Sequence, residues 1–400
     1  MEIPAYNVVM IKGSKNLLIL GASGGAANAL LRSLVHYRDR FRELVLLDKR
    51  RAILDNPGLD HHRLDYTFLH CRLPVPRREA EYRAILKRHG IDIVLDLTDV
   101  DSLPLIAATD RAGASLVNTA MNDNRLPVDV LIERTESARA RWRHAPHILA
   151  TGMNPGVVNM WVREAVERFG VPERIVHFEF DTSCGASGWF PMMTWSVREF
   201  LFETTYDPTG VMLGRNRLQR LLPNALSRRV PMKPILSPIL KLDRYPRGYV
   251  ILHEENVTLA NRYDVPSQFV YAVHPHTMAA LDRIHHEKRT VREKDLAHGD
   301  NVRDPLVGND YIGVLLEYSD RKVYMTNAME NATISGTNAT YSQVIVGIES
   351  AFAALIGGIE PGVHFTEDLY DTAYRDYLFS HMRVAQHVFK RSRGAWKLVS

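Results

Sequence analysis

The feature that most constrains this chain is a strand, a glycine-rich turn, a helix and a second strand close to the N-terminus. Asn16–Leu20 is wholly apolar after its first residue, which predicts a buried parallel strand. Gly21–Ala26 follows directly, and Ala27–Tyr37 has the leucine spacing of an amphipathic helix. Leu44–Asp48 is a second apolar strand that ends in an acid. This order is typical of a dinucleotide-binding unit.

The turn between the first strand and the helix is built from small residues. Gly21, Ser23 and Ala26 occupy the three small positions of a G-x-G-x-x-G/A pattern, with Ser23 in place of the middle glycine. Small residues let backbone N–H groups approach a pyrophosphate at a helix N-terminus. The predicted cofactor-binding residues are Gly21, Ser23, Gly24, Gly25, Ala26 and Asp48.

Asp48 and the basic residues after it decide between two nicotinamide cofactors. A carboxylate at the end of the second strand accepts hydrogen bonds from an adenosine ribose, which favours NAD. Lys49, Arg50 and Arg51 follow directly and would suit the 2′-phosphate of NADP. We favour NAD because the carboxylate would repel that phosphate, and NADP stays open.

The remaining pattern predicts an α/β fold with two domains. Strands and helices alternate up to residue 150, which predicts a Rossmann-type, doubly wound parallel sheet over residues 1–150. After the glycine/proline turn at 151–156 they mix, which predicts an α+β substrate domain over residues 151–400. Within it we expect a strand at Gly248–His253, a helix at Val197–Thr204 and an irregular loop at Arg215–Arg247 that could serve as a lid.

Composition excludes several classes of function. The 50 basic and 46 acidic residues leave a net charge of +4, too little for a nucleic-acid footprint. Cys71 and Cys184 are far apart, so we expect neither a disulfide framework nor a zinc site. His274-Pro275-His276 and His285-His286 look metal-like, but no set of carboxylates and histidines with ligand spacing surrounds them, so we expect no metal. We find no signal peptide and no apolar run long enough for a membrane span, so we expect a cytoplasmic protein without membrane contact.

A series of short motifs in the second half carries a family resemblance. The motifs are Gly152–Gly156, Glu179–Thr182, Thr194–Val197 with Glu203, His253–Glu255, Asn309–Leu316, and Asn338–Thr340 with Gln343. In this order they resemble the bacterial homospermidine synthases, a family of the saccharopine-dehydrogenase-like group. The resemblance extends from about Gly21 to Tyr377.

The resemblance implies a transferase that uses a nicotinamide without net redox change. In that family NAD takes a hydride from a primary amine such as putrescine, and the imine condenses with a second putrescine and releases ammonia. The same hydride then reduces the new imine, which gives homospermidine. For this chain the resemblance implies a small diamine substrate, bound NAD and a homodimer.

The chemistry of a diamine gives the motif residues plausible roles. A diamine dication needs carboxylates and an aromatic face for cation–π attraction, and Trp195 is the candidate face. His253 and Glu255 alternate on the expected strand and would form a proton-handling pair. The predicted catalytic residues are Trp195, Glu203, His253 and Glu255, and the predicted substrate-binding residues are Asn154, Glu179 and Asp310.

Each of these residues also has a structural interpretation. Trp195 alone would suit a core aromatic, Glu203 an exposed helix residue and Asp310 a turn cap. His253 and Glu255 would equally suit a structural ion pair. The combination of motifs favours the functional interpretation.

The sequence departs from the family pattern at two positions near the family's substrate entrance. Asn122 stands about where the family has a glutamate, and Thr209–Gly214, which contains Met212, lacks the family's second tryptophan. The identity of the amine therefore stays open. Two other functions also stay open: a net reductase of the saccharopine or carboxyspermidine dehydrogenase type, and a catalytically inactive nucleotide-binding protein. The first would need an arginine-lined carboxylate pocket, whereas the candidate residues here are mostly acidic.

Overall fold

The computed structural model describes residues 13–287, 289–299, 304–392 and 394–399. The prediction that no signal peptide is present concerns residues 1–15, most of which lie outside the described residues. The described strands are β1 (Lys15–Leu20), β2 (Phe41–Asp48), β3 (Thr67–His70), β4 (Ile93–Asp96), β5 (Ser115–Asn118), β6 (Pro146–Leu149), β7 (Arg174–Asp181), β8 (Cys184–Gly185), β9 (Met192–Met193), β10 (Thr209–Met212), β11 (Leu218–Leu222), β12 (Arg229–Pro231), β13 (Arg247–Ile251), β14 (Ser267–Ala272), β15 (Ala297–His298), β16 (Leu306–Val307), β17 (Asn309–Glu317), β18 (Arg321–Glu330), β19 (Gly362–Phe365), β20 (Ala385–Ser392) and β21 (Ala395–Leu398). The described helices are α1 (Gly25–Leu34), α2 (His61–Leu64), α3 (Glu79–Arg88), α4 (Ser102–Arg111), α5 (Val128–Ala138), α6 (Val157–Phe169), α7 (Val197–Leu201), α8 (Lys233–Leu236), α9 (Glu254–Tyr263), α10 (Pro275–His286), α11 (Ala339–Gly357) and α12 (Ala373–His381).

The N-terminal sheet confirms the predicted α/β fold. Its seven strands run in the order β19-β6-β5-β4-β1-β2-β3 and all pair in parallel. The apolar strands are buried on both faces because alternate residues enter different cores. Leu17 and Ile19 pack with α1 and α11, whereas Leu18 and Leu20 pack with α3, α4 and α5. The order from β3 to β6 is that of a doubly wound Rossmann sheet.

The second sheet is mixed, as expected for an α+β region. Its strands run in the order β11-β10-β14-β7-β17-β18-β20-β21, with β13 beside β14 and β12 beside β13. Strand β7 pairs in parallel with β14 and antiparallel with β17. The β7–β17 register sets Asp181 directly opposite Asp310, so these side chains share one face of the sheet with Glu179.

Two expectations about the second half are wrong in detail. Arg215–Arg247 is not an irregular loop, because it contains β11, β12 and α8. His253 and Glu255 do not alternate on a strand: β13 ends at Ile251, and His253 directly precedes α9. The helix begins here because the Asn256 side-chain oxygen accepts a hydrogen bond from the His253 backbone N–H at 3.2 Å.

The predicted helix at Val197–Thr204 changes its winding. It is α-helical through α7 and then continues as a π-helical turn over Phe202–Tyr206. Glu203 lies in that π-helical turn. Such turns are rare and occur often at functional sites.

The C-terminal part of the chain returns to the first sheet. Strand β19 pairs in parallel with β6 through four register pairs from Gly362–Pro146 to Phe365–Leu149. The Glu349 carboxylate on α11 also accepts hydrogen bonds from Ser33 and Tyr37 beside α1, at 2.5 and 2.7 Å. The first sheet therefore takes one strand from beyond residue 150. The domain boundary at residue 150 stays a prediction.

Among the described helices, α11 alone is long and apolar enough for a membrane span by length and composition. In the fold, 78% of the 18-residue apolar segment of α11 is buried inside the protein. Its Ile348, Ala351 and Phe352 belong to the same apolar core as the first sheet. These features are those of a core helix.

Candidate active site

A single cleft brings most of the predicted site residues together. It has a volume of about 1040 Å³ and lies at the carboxyl ends of β1 to β6, facing the second sheet. Ligands bind at this edge in open α/β sheets. The predicted site residues that line the cleft are Gly21, Ser23, Gly24, Gly25, Ala26, Asp48, Asn154, Glu179, Trp195, Glu203 and His253. Glu255 and Asp310 lie behind its wall and are fully buried.

The glycine turn forms a cradle for an anion. Gly21 has φ +78°, and a Cβ atom there would lie 2.6 Å from the Leu97 carbonyl oxygen, so a side chain is excluded. Helix α1 begins at Gly25, and its N-cap residue Gly24 makes no side-chain capping bond. The first-turn N–H groups therefore have no side-chain acceptor, and the first turn contains no acidic residue. Such a helix start fits a pyrophosphate.

Asp48 fixes the shape of this cradle. Its carboxylate accepts hydrogen bonds from the backbone N–H of Ser23 at 2.8 Å and of Arg50 at 2.7 Å. The acid is 6% exposed and lines the cleft. The residues present therefore fit the adenosine and pyrophosphate of a dinucleotide. We call this end of the cleft, formed by lining residues up to 100, the cofactor half; its cationic side chains are Lys49, Arg50, Arg72, Arg77 and Arg78.

The opposite end of the cleft is acidic. We call the lining residues beyond residue 100 the acidic half; its carboxyl groups are Asp123, Glu179, Glu199, Glu203, Asp207 and Glu254. Among these described lining residues Arg198 is the sole lysine or arginine, and its guanidinium forms an ion pair with Asp99. A cationic ligand is therefore favoured at this end of the cleft.

His253 lies between two carboxylates. Its Nε2 is 3.0 Å from Glu203 Oε1, and its Nδ1 is 3.2 Å from Glu255 Oε2. Burial alone would lower the pKa of His253, but the charges of Glu203 and Glu255 raise that pKa well above its usual value. Burial alone would raise the pKa of Glu255, but His253 holds it below its usual value. The predicted pair of His253 and Glu255 thus forms, but the two residues lie at the start of α9 rather than on a strand.

Trp195 is held at the cleft wall by its neighbours. Its indole Nε1–H donates a hydrogen bond to the Tyr271 hydroxyl at 3.0 Å. Its ring meets the Phe200 ring edge-on, with 6.3 Å between centroids. The side chain is only partly buried and lines the cleft, so part of its aromatic surface is available to a ligand.

Glu179 and Asn154 form a polar pair in the cleft. The Asn154 amide donates to Glu179 Oε2 at 2.9 Å. Burial and the neighbouring Asp181 raise the pKa of Glu179 to about 8. Glu179 therefore carries a proton at neutral pH in the resting site. A bound ammonium group would favour its ionised form.

Sequence analysis missed several acids that line the cleft. Glu199 and Asp207 flank Glu203 at a spacing of four residues, with Glu199 on α7 and Asp207 directly after the π-helical turn. Burial and the charge of Glu203 raise the pKa of Glu199 to about 7 and that of Asp207 to about 6. The four-residue spacing was the available signal. Glu254 and Thr340 also line the cleft and lie within the motifs named above, without having been singled out, whereas His298 had no signal in the sequence.

The two positions that depart from the family pattern have different surroundings. Asn122 lines the cleft, and its amide donates to the Thr98 carbonyl at 3.1 Å. Met212 is 2% exposed and packs in the apolar core. Met212 is therefore not an entrance residue here, because β10 turns its side chain into that core.

One group of side chains has the spacing of metal ligands. Ligand atoms of His253, Glu254 and Glu255 lie within 4.8 Å of one another. The His253 nitrogens already face carboxylates, and Glu254 Oε1 accepts the Met121 backbone N–H at 2.7 Å. The absence of a metal stays our prediction.

The fold and cleft define a Rossmann-type α/β protein with a second, mixed-sheet region that closes an acidic pocket. No protein-family model and no curated protein sequence matches the chain. Among solved structures, the homospermidine synthase of Legionella pneumophila, a complex with NAD, has a TM-score of 0.77 at 16% identity. The match covers 94% of this chain and 92% of that protein. The resemblance stated from the motifs is thus confirmed at the level of the fold.

Two further structures match more weakly. An amine dehydrogenase from Mycobacterium smegmatis has a TM-score of 0.39 at 12% identity, and covers 89% of this chain and 96% of that one. A putative oxidoreductase from Bacillus subtilis has a TM-score of 0.36 at 10% identity, and covers 93% of this chain and 96% of that one. Similarities at this level add nothing to the fold assignment.

Proposed function

We propose that this chain is a homospermidine-synthase-like aminobutyl transferase that acts on putrescine with bound NAD. The observation that carries the proposal is the division of one cleft into a dinucleotide cradle and an acidic half with one ion-paired arginine. The fold shared with an NAD-bound homospermidine synthase supports it. Homodimeric assembly and a cytoplasmic location remain predictions.

The cofactor half would hold NAD through its main chain. Gly21 and the N–H groups at the start of α1 suit the pyrophosphate, and Asp48 suits the adenosine ribose. When bound, NAD supplies the hydride acceptor for the first amine and the hydride donor for the final imine. Arg50 donates to the Ser23 carbonyl at 3.2 Å, so part of its hydrogen-bonding capacity serves the turn itself.

The acidic half would bind the diamine through charge and an aromatic face. One ammonium group would pair with Glu199, Glu203 or Asp207, which line the cleft. The reacting carbon, which becomes cationic as an iminium, would lie against Trp195. Asn154 and Glu179 would hold the nitrogen at the inner end, where Glu179 becomes ionised as a cation arrives.

His253 would carry the proton transfers of the exchange. Its raised pKa makes it a cation in the resting site, so it can protonate a leaving amine nitrogen from Nε2. Glu255, fully buried at 3.2 Å from Nδ1, stabilises that cation and fixes the ring. After the proton leaves, neutral His253 can accept one from the incoming amine.

The test follows the transferred hydride. Putrescine deuterated at the reacting carbon, with a catalytic amount of NAD⁺, should give homospermidine that keeps the transferred deuterium. Mass spectrometry of the product and the absorbance of NADH measure this. A His253→Leu variant that still binds NAD is the matched control. Stoichiometric NADH, or a requirement for NAD(P)H with a keto or aldehyde acid, would instead assign the net reductase.

A further inference from the structure

Two aspartates and two threonines form a continuous chain of hydrogen-bonding groups behind Trp195. Thr194 Oγ1 lies 2.7 Å from Asp181 Oδ2 and 2.9 Å from Thr340 Oγ1. Thr340 Oγ1 lies 2.8 Å from Asp310 Oδ2. All four residues are buried, with Thr340 the most exposed at 7%. Thr340 alone of the four lines the cleft.

The start of helix α11 holds these four hydrogen-bonded side chains in place. Asn338 caps the helix by accepting the Tyr341 N–H at 2.9 Å, and its amide donates to the Thr194 carbonyl at 2.7 Å. Thr340 lies in the first turn of the same helix, so the cap brings its hydroxyl to Thr194. The register of β7 and β17 brings Asp181 and Asp310 to the two ends of the chain.

The number of protons in these hydrogen bonds fixes the total charge of the four side chains. Three hydrogen bonds link the four groups, and each bond needs one proton. The hydroxyls of Thr194 and Thr340 supply two protons, because each hydroxyl has a single O–H. The third must come from a carboxyl group. Asp181 and Asp310 therefore share one proton, and the pair carries one negative charge.

The surroundings place the proton on Asp310. Asp181 accepts the Ser183 N–H at 2.8 Å in addition to Thr194, as suits a carboxylate. Asp310 Oδ1 is buried without any hydrogen-bond partner, as suits the carbonyl oxygen of a neutral acid. Asp310 then donates to Thr340, Thr340 donates to Thr194, and Thr194 donates to Asp181.

We propose that Thr340 and Thr194 form a proton wire that carries a proton from a substrate ammonium in the cleft to Asp181, while Asp310 stays protonated. Thr340 donates one hydrogen bond and accepts one from Asp310, so one lone pair of its oxygen remains for a ligand in the cleft. The use of the wire by a diamine rests on the proposed function. The protonation state of the aspartates does not.

The proton transfer balances without any further reactant. The substrate N–H bond breaks, its electron pair stays on nitrogen, and a new O–H bond forms at Thr340. The former Thr340 O–H bond breaks as one forms at Thr194, and the former Thr194 O–H bond breaks as one forms at Asp181. The product is a neutral amine, the form that can lose a hydride. The reverse sequence returns the proton.

Other titratable groups surround the wire. The groups that interact electrostatically with the two aspartates are Glu179 on β7, Tyr271 on β14 and Cys184 on β8. Burial and the charges of Glu179 and Asp181 raise the pKa of Asp310 well above its usual value. Burial also raises the pKa of Asp181, against hydrogen bonds from Ser183 and Thr194 that lower it. The assignment of the proton to Asp310 agrees with this balance.

Infrared difference spectroscopy tests the resting state without any turnover. The wild type should show the carbonyl band of a protonated carboxyl at neutral pH that Asp310→Asn lacks. Thr340→Val should shift that band because the acid loses its acceptor, whereas Thr340→Ser should keep it. Thr135→Val, which removes a buried hydroxyl bonded to the Leu131 carbonyl in α5, is the matched control and should leave it unchanged. An Asp310→Asn spectrum without a lost band would overturn the assignment.

Stability gives a second, independent measurement. The Asn amide can donate to Thr340 as the acid does, so Asp310→Asn should unfold close to the wild type. Asp181→Asn places its amide N–H against either the Ser183 N–H or the Thr194 hydroxyl, both of which donate to Asp181, so one buried hydrogen bond is lost. It should lower the folded-to-unfolded ratio about tenfold or more beyond Asp310→Asn. The opposite ranking would contradict the proposal.

Turnover tests the use of the wire. With putrescine and NAD, Thr340→Val should lower kcat about tenfold or more and change the solvent isotope effect, with little change in KM, and Thr340→Ser should restore most of kcat. Unchanged kcat and isotope effect in Thr340→Val would refute the relay. If the wild type makes no homospermidine while the band assignment holds, the proposed function fails and the shared proton stands.

Discussion

The two halves of the cleft achieve recognition by different means. The cofactor half relies on main-chain shape, because Gly21 must be glycine and the start of α1 offers backbone N–H groups. Its cations are largely exposed; the Arg50 side chain is 62% exposed. The acidic half relies on buried side chains, such as His253 at 6% exposure, with the fully buried Glu255 behind it. A shape made by the main chain tolerates many side chains, whereas a buried charge depends on each of its partners.

This difference sets the expected size of a substitution. An exposed ion pair contributes up to about 1 kcal/mol and is screened by salt. Breaking a buried pair leaves an uncompensated charge and costs about 3–5 kcal/mol. Substitutions of the buried charges in the acidic half should therefore change stability and activity together, and those in the cofactor half should change affinity for the dinucleotide alone.

The largest effect is expected for the cation of the acidic half. His253→Leu leaves Glu255 buried without its counter-charge, so we expect a loss of about 3–5 kcal/mol in the free energy of unfolding at neutral pH. Urea unfolding measures it, and the exposed His36→Leu is the control. Because the folded pKa of His253 is raised, its stabilisation is full below about pH 6.5 and is lost as the pH rises through the raised value. A difference that does not shrink at alkaline pH would contradict the ion pair.

Trp195 should give the next largest effect, on activity rather than on stability. Trp195→Ala removes the aromatic face, and a desolvated cation–π contact is worth about 2 kcal/mol, so kcat/KM for putrescine should fall about thirtyfold. Trp195→Phe should retain part of the activity. NAD affinity should stay unchanged in both. Equal loss in both variants together with a collapsed melting temperature would assign Trp195 to the core instead.

Asp48 tests the cofactor half. Asp48→Asn replaces one of two accepting oxygens, so the turn loses a hydrogen bond from Ser23 or Arg50 and NAD should bind about tenfold more weakly. Titration calorimetry measures the affinity, and unfolding should change little. Arg51→Ala, in the exposed part of the basic trio, is the control. A wild type that binds NADP more tightly than NAD would reverse the cofactor assignment.

The smallest effect is expected at the rim of the acidic half. Glu199→Gln should raise KM for putrescine by about twofold to fivefold, because its side chain is partly exposed. The pKa of Glu199 is about 7, so the acid loses its charge as the pH falls through neutrality. The wild-type KM should therefore rise from pH 8 to pH 6, and the variant KM should rise less. Parallel KM profiles would exclude Glu199 from substrate binding.

The sequence predicted the cofactor half well because its determinants are local. The strands, the turn from Gly21 to Ala26 and Asp48 lie within a few dozen residues, and their order alone specifies the Rossmann unit. The acidic half was predicted through motifs, and three of the residues they named, Trp195, Glu203 and His253, line one cleft. The burial of Glu255 and Asp310 was not predictable, because it results from long-range packing that no local sequence pattern reports.

The wrong predictions share a physical reason. At His253–Glu255, alternation suggested a strand, but the Asn256 side chain capped a helix at a residue that is not a usual N-cap. At Arg215–Arg247, strands β11 and β12 form only because β10 and β13 are there to pair with them. In both places a contact outside the pattern decided the local structure.

The return of β19 to the first sheet bears on how this chain can be rearranged. Strand β6 has one register pair with β5 at Val117–Ile148 but four with β19. A cofactor-binding module cut at residue 150 would lose β19 and carry open hydrogen-bonding groups along the edge of β6. The dinucleotide unit is therefore not a cassette that can be exchanged between enzymes by a single splice. A functional chimera must take its donor segment from both ends of the chain.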